Sequence, residues 1–233
     1  MQSNHPINVE ALLTHIPLFN GLAPEEIARM ARSTREIHVS KGDILFHKGD
    51  PCNGFHLLVY GQVKLAFTSQ QGSEKVVEIV QPGQSFGEAI MFIGKPYVVS
   101  AQTLSDTLLL HIAKEVIFEK LESDPQFGKK LLAGMAMRTH KLMSDVEGYS
   151  LHSGSQRVIG YLLRDVPSDG AQGSEPHTVS LPVSKATIAS RLSLTPEYFS
   201  KVLHELEAAG LIRIDKRDIL ITDPAALGSY GMP

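Results

Sequence analysis

The segment SKATIASRLSLTPEYFSKVLHELEAAGLIRIDKRDILITD, Ser184–Asp223, contains two helical runs, a short turn and two strand-like runs around a charged turn. Thr195 is suited to cap the second helix through its hydroxyl, Pro196 to occupy the first helical position, and Gly210 to end it. Along PEYFSKVLHELEAAG, Phe199, Val202, Leu203 and Leu206 share one face and are predicted to be buried, while Glu197, Ser200, Lys201 and His204 share the opposite face. A short strand is expected just before, over Thr178–Pro182. Helix, turn, helix and hairpin in this order make a winged helix-turn-helix, whose second helix enters the major groove of DNA.

The polar residues suit base reading. Lys201 can donate to guanine O6 and N7, Glu197 can accept from a cytosine amino group, and Ser200 can meet a base edge or a phosphate. Ser184 and Lys185 open the first helix, where backbone N–H groups and a cation meet a phosphate. Thr195 and Tyr198, at the start of the second helix, complete the expected DNA-facing set. Arg213, Lys216 and Arg217 place positive charge on the wing, interleaved with Asp215 and Asp218. Taken singly each of these residues also fits a solvated helix surface, and only their combination points to DNA.

The texture differs toward the N-terminus. A helix is predicted from Ala23, and from about Glu36 to Ile112 short strand-like runs follow one another: Asp43–His47, Phe55–Val59, Val63–Thr68, Val76–Val80, Val99–Leu104 and Leu108–Ile112. Glycine turns at Lys41-Gly42, Lys48-Gly49, Gln71-Gly72 and Pro82-Gly83 punctuate them. This pattern predicts an antiparallel β-roll, jelly roll or sandwich. Helical stretches return from Lys114, the last starting at Pro125 behind an Asp124 cap. Within it Leu132, Met135, Thr139, Leu142, Val146 and Tyr149 recur in alternating steps of three and four, the seam of a coiled coil, although a helix packed on the roll would show the same stripe. Leu151–Ser155 reads as a hinge, SQRVIGYLLRDV as an amphipathic helix, and 167–176 as a polar loop. The expected fold is therefore α+β, with a sensor domain over 1–122, a dimerisation helix over 123–150 and a DNA-binding domain over 151–233.

Bulk composition bounds the function. The chain has 233 residues, 42% hydrophobic and 20% charged, as a globular protein does, and a formal net charge of −3 confines any basic surface to a local face. One cysteine, Cys52, excludes an internal disulfide and an iron–sulfur cluster ligated by four cysteines of one chain. No signal-peptide pattern and no apolar run of about 18 residues is present, so a cytoplasmic protein without a membrane partner is expected.

The turns Lys41-Gly42-Asp43 and Lys48-Gly49-Asp50, the run Gly61-Gln62-Val63-Lys64, the cassette PGQSFGE at Pro82–Glu88, the seam helix and the winged helix occur in the order found in the cyclic-AMP receptor protein/fumarate-nitrate regulator superfamily of bacterial transcription factors, which this chain closely resembles. The resemblance implies a homodimer that receives a signal in its β-roll, binds a palindromic promoter site and works with RNA polymerase. In cyclic-nucleotide members an Arg-Ser or Arg-Thr pair after the cassette holds the phosphate. Here the matching positions are Tyr97 and Val98, and the hydroxyl pair that meets adenine corresponds to the neighbourhood of Leu142 and Met143. A buried phosphate lacking a cation costs several kcal/mol, so cyclic AMP is disfavoured.

The cysteine cluster of the oxygen-sensing members is also missing. Glu197, Ser200 and Lys201 nevertheless match that branch's Glu-x-x-Ser-Arg recognition pattern with lysine for arginine, and Glu88–Phe92 with Pro196–Ser200 resemble the cysteine-lacking subgroup that controls denitrification and nitrosative stress. The resemblance implies an operator like TTGAT-N4-ATCAA and a response to nitric oxide. It leaves the cofactor open among haem, another apolar or redox effector, and none. An apolar pocket is expected from Phe86, Gly87, Glu88, Met91, Tyr97, Val98, Met135 and Leu142, and candidate haem ligands are His15, His38, His56, His111 and His140. Two other classes fit the sequence less well. A cupin-type metalloenzyme needs clustered histidines that the roll lacks, and a cyclic-nucleotide subunit acting on a protein partner would have no need of the winged helix. The chain is expected not to be an enzyme.

Overall fold

The computed structural model describes residues 8–14, 16–164, 166 and 176–230. His15 and, apart from Pro176, the polar loop expected over 167–176 lie outside the described residues. The chain divides into two compact units, Met1–Thr139 and His140–Pro233.

The first unit begins with α1 (Val9–Thr14), a 3-10 turn at Pro17–Phe19 and α2 (Pro24–Arg32). The carboxylate of Glu26 accepts the Ala23 N–H at 2.9 Å, closing the first turn of α2. Strands β1 (Thr34–Val39), β2 (Ile44–Phe46), β3 (Gly54–Tyr60), β4 (Val63–Thr68), β5 (Glu74–Val80) and β6 (Ser85–Phe86) lead to α3 (Glu88–Ile93), followed by β7 (Ser100–Thr103) and β8 (Thr107–Ala113). Two antiparallel sheets result, in the orders β1-β8-β3-β6 and β2-β7-β4-β5. Helices α4 (Lys114–Ser123) and α5 (Pro125–Leu151) follow, and Asp124 accepts the N–H groups of Gln126 and Phe127 at 2.9 and 3.3 Å as the expected cap of α5.

β8 is apolar on both faces. Leu110 and Ile112 join Phe55, Leu57, Ile27 and Phe127 in a core under the helices, whereas Leu109 joins Leu58, Phe46, Phe86 and Tyr97 in a second core between the sheets. This two-cored antiparallel arrangement is the predicted roll, with two additions. β1 reads TREIHV, too polar to show a strand signal alone, and is held by pairing along its whole length with β8. Glu88–Ile93 is a short helix that follows the Pro82–Glu88 cassette. Gly87 and Gly94 adopt φ of 99° and 63°, left-handed values that start and stop it within six residues.

The second unit holds the rest of α5, α6 (Gly154–Leu163), β9 (His177–Ser180), α7 (Lys185–Arg191), α8 (Pro196–Ala208), β10 (Ile212–Asp215), β11 (Asp218–Ile221) and α9 (Pro224–Ser229). The expected hinge is a helix break. Ser153 Oγ accepts the Gln156 N–H at 3.2 Å and Gln156 Oε1 accepts the Ser153 N–H at 2.8 Å, a reciprocal cap that starts α6 three residues after α5 ends. The three strands pair in the order β10-β11-β9, so the wing is a hairpin with a third strand added. The boundary between the compact units falls inside α5, whereas the sequence suggested cuts at its two ends. Among the described residues no helix is long and apolar enough to cross a membrane.

Gly61 has φ of 91°, and a Cβ there would lie 2.6 Å from the Asp106 carbonyl oxygen and 2.8 Å from Thr107 Cα. Gly42 has φ of 90° with open space around it. Gly61→Ala is expected to lose about 2–3 kcal/mol in urea unfolding and Gly42→Ala about 1 kcal/mol, the difference being the clash.

Candidate nucleic-acid interface and effector cavity

α8 forms where its cap and stripe put it. Thr195 Oγ1 accepts the Tyr198 N–H at 3.2 Å, and Phe199, Val202, Leu203 and Leu206 are buried, as expected. Glu197, Lys201 and His204 are exposed and Ser200 is half-buried on the other side. Lys201 Nζ lies 3.7 Å from Glu205 Oε1 and His204 Nδ1 3.6 Å from Glu207 Oε2, contacts of exposed side chains that are weak and easily exchanged for a ligand. Ser184 caps α7 by accepting the Thr187 N–H at 3.1 Å, and Lys185 follows as its first residue. Tyr198 departs from this set: its ring lies against the start of α6, where a Cβ on Gly154 would come within 3.0 Å of Cζ and Oη.

The turn between α7 and α8 is gripped by residues that local reading missed. Arg157 of α6 donates to the carbonyl oxygens of Leu192 and Ser193 at 2.7 and 3.3 Å. Arg191 pairs with Asp145 at 2.5 Å and hydrogen-bonds the Tyr149 hydroxyl, which donates back to the Arg191 carbonyl at 2.6 Å. Ser193 sits at φ of 57°, so the turn holds a backbone conformation that a side-chain-bearing residue seldom takes. Tyr149, expected in the seam, thus faces α7. Of the other seam positions Leu132, Leu142 and Val146 are 68%, 45% and 62% exposed, Thr139 is exposed with its hydroxyl on the Met135 carbonyl, and Met135 is half-buried.

The eight residues expected to line one apolar pocket are distributed differently. Phe86 and Tyr97 belong to the core between the sheets, with the Tyr97 ring stacked 3.6 Å from that of Phe46. Burial, together with a hydrogen bond to Cys52, pushes the Tyr97 phenol well above its usual range and keeps it protonated. Gly87 is the left-handed cap of α3, Met91 packs in the core under the helices, and Val98 is exposed. Leu142 lies in the second compact unit. Only Glu88 and Met135 share a cavity, of about 340 Å³, with Leu18, Lys130, Leu131 and Arg138 among its other walls.

That cavity holds a cation invisible to spacing. Arg138 of α5 pairs with the buried carboxylate of Glu88 at 3.0 Å, donates to the Ser85 carbonyl and lies 4.0 Å from Glu78. No histidine lines it. His38 and His140 are exposed, while His56 and His111 line a separate cleft of the roll. His56 is buried, and that burial, reinforced by His111 and Arg35, lowers its pKa from 6.5 to about 3. Among the described residues no group of three or more His, Cys, Asp or Glu side chains is placed to hold a metal ion.

Residues 36–124 match the cyclic nucleotide-binding domain family and residues 156–230 the Crp-like helix-turn-helix domain family. DNR from Pseudomonas aeruginosa is 30% identical, the match covering 95% of this chain and 96% of that one with a TM-score of 0.50. The cyclic AMP receptor protein of Thermus thermophilus is 26% identical over 91% of this chain and 94% of its own length. FixK2 from Bradyrhizobium japonicum, at 20% identity and a TM-score of 0.73, covers 86% of this chain and 98% of its own and shows the shared fold.

Removing the α8 cap by Thr195→Ala is expected to cost about 1 kcal/mol in unfolding free energy and to speed amide exchange at Tyr198. His56 imposes a pH dependence. Unfolded, the imidazole takes up a proton below 6.5, whereas folded it stays neutral down to about 3, so stability falls as pH drops through that window. Urea unfolding at about pH 7.5 and about pH 5 is expected to show a smaller loss in His56→Leu than in the unmodified chain.

Proposed function

The chain belongs to the CRP/FNR family and is a DNA-binding transcription regulator of that type, and from that premise we propose that it binds a palindrome like TTGAT-N4-ATCAA as a homodimer. The observation that carries this is α8: a capped helix anchored by four buried apolar residues, with Glu197, Ser200, Lys201 and His204 on the opposite side. Lysine at 201 lacks arginine's planar fork, so guanine is read by a point charge and discrimination is softer. The exposed Leu132, Leu142 and Val146 of α5 support a dimer, since apolar area in water gains about 25 cal/mol per Å² on burial. A parallel pair of such helices would set two recognition helices about 34 Å apart, one turn of DNA. RNA polymerase is the partner on which a promoter-bound dimer acts, in the cytoplasm.

The signal in this reading is nitric oxide or a redox-related effector rather than cyclic AMP. Tyr97 is committed to the core and Val98 carries no charge, so neither takes the phosphate, and the one arginine beside the cassette is already bound to Glu88. The residues assigned to the pocket offer no imidazole to haem, which therefore does not fit there, and no step is routed through it. Effector binding acts by shifting the population of dimers with the two recognition helices competently spaced, to the extent that it prefers that state. A second reading, a cyclic nucleotide held in an unusual way, is favoured only by Arg138, a cation near Glu88 that could exchange partners.

Binding to the palindrome is expected to weaken by about 1–3 kcal/mol in Lys201→Ala, measured by fluorescence anisotropy at fixed salt. Equal affinity for the palindrome and a scrambled duplex would defeat the operator assignment. An absorption spectrum of protein mixed with haem, with and without nitric oxide, tests the haem arm: no stoichiometric Soret band is expected if haem is not the cofactor. Cyclic AMP is expected to leave operator affinity unchanged, and a tightening abolished by Arg138→Gln selects the second reading.

A further inference from the structure

Antiparallel register sets Arg35 of β1 opposite His111 of β8, His111 opposite His56 of β3, and His56 opposite Phe86 of β6. Register partners project from the same side of a sheet, so these four form one row across it. The row lies at the end of the sheet where β1 and β3 begin and β8 ends, and the stacked rings of Phe46 and Tyr97 lie alongside. Gly54 makes room for it, since a Cβ there would come within 2.9 Å of His111 Nε2. A cleft of about 660 Å³ opens here, with Arg32 also in its wall.

Charge and hydrogen bonding in this cleft are incomplete. Among the described residues neither Arg32 nor Arg35 has a carboxylate within ion-pair distance. The acidic residue of the lining, Asp50, uses its carboxylate to accept the His47 N–H at 2.8 Å. His56 is 5% exposed and its Nδ1 is buried without a hydrogen-bond partner. His111 is also held below its ordinary pKa, first by burial and then by Arg35, with Glu115 opposing. Positive guanidinium groups, neutral imidazoles and flat aromatic walls together suit a ligand with a flat apolar body and an anionic end. Among the described residues no group of three metal-ligating side chains is assembled here, which suits an organic ligand better than a bare metal ion.

We propose that this cleft binds a planar aromatic carboxylate, its carboxylate on Arg35 and its ring against the Phe46–Tyr97 wall and the imidazoles. The site is distinct from the cavity at Glu88 and Arg138 and does not depend on the nature of the effector proposed above. The test uses the full chain and 2-naphthoate as probe, followed by calorimetry and by the probe's own fluorescence. One saturable site per chain is expected, weakened about tenfold or more in Arg35→Gln, as loss of a charge-assisted hydrogen bond implies. Arg35 is exposed and, among the described residues, has no carboxylate within ion-pair distance, so the variant should fold normally, which circular dichroism verifies. The neutral isostere 2-naphthamide is expected to bind about tenfold more weakly than the acid. Absence of saturable binding, equal affinity for acid and amide, or indifference to Arg35→Gln would each overturn the proposal.

Discussion

Pairing along β8 is the constraint on which the rest of the first unit hangs. A strand buried on both faces has no solvated side, so each flank must be covered by a separate apolar layer. Leu110 and Ile112 face the helices while Leu109 faces the second sheet, and each of the three is fully buried. The partners β1 and β3 are aligned to β8 residue by residue, and a slip of one position would exchange the two cores. The same register that separates the cores also lines up Arg35, His111 and His56, so the unpaired charge and buried imidazole of the cleft follow from how the sheet must be assembled.

The cassette at Pro82–Glu88 keeps its glycine geometry, but its polar group has found an internal partner. A buried carboxylate is tolerated when a cation and hydrogen bonds replace its lost water, and Arg138 supplies both functions to Glu88. The tyrosine at 97 gives its ring to the core at Phe46 and lines the cleft beside His56 rather than the cavity at Glu88. Together these two side chains leave a filled corner with a modest cavity beside it.

In the second unit, two arginines do for the helix-turn-helix what β8 does for the roll. Arg157 donates to the carbonyl oxygens of Leu192 and Ser193, Tyr149 donates to that of Arg191, and Asp145 and Tyr149 hold the Arg191 guanidinium from the last turns of α5. The recognition helix is therefore tied through its turn to the helix whose apolar stripe is exposed. Short hydrogen-bonded contacts thus join the end of α5 to the turn that precedes α8.

Periodicity and turn chemistry were enough to reveal from sequence the α+β class, the strands β2 to β5, β7 and β8, the cap at Asp124, and both faces of α8, because each depends on residues close together in the chain. They missed β1, whose polar TREIHV has strand character only beside β8, and the short helix bracketed by Gly87 and Gly94. They also missed Arg138, Arg157 and Arg191, whose partners lie tens of residues away. The sequence by itself determined which elements form and which side of the recognition helix stays wet. Only the tertiary structure decided which charges are cancelled, which aromatic rings are spent on packing and where a cleft stays open, since burial and long-range pairing are properties of the assembled sheets and not of any one segment.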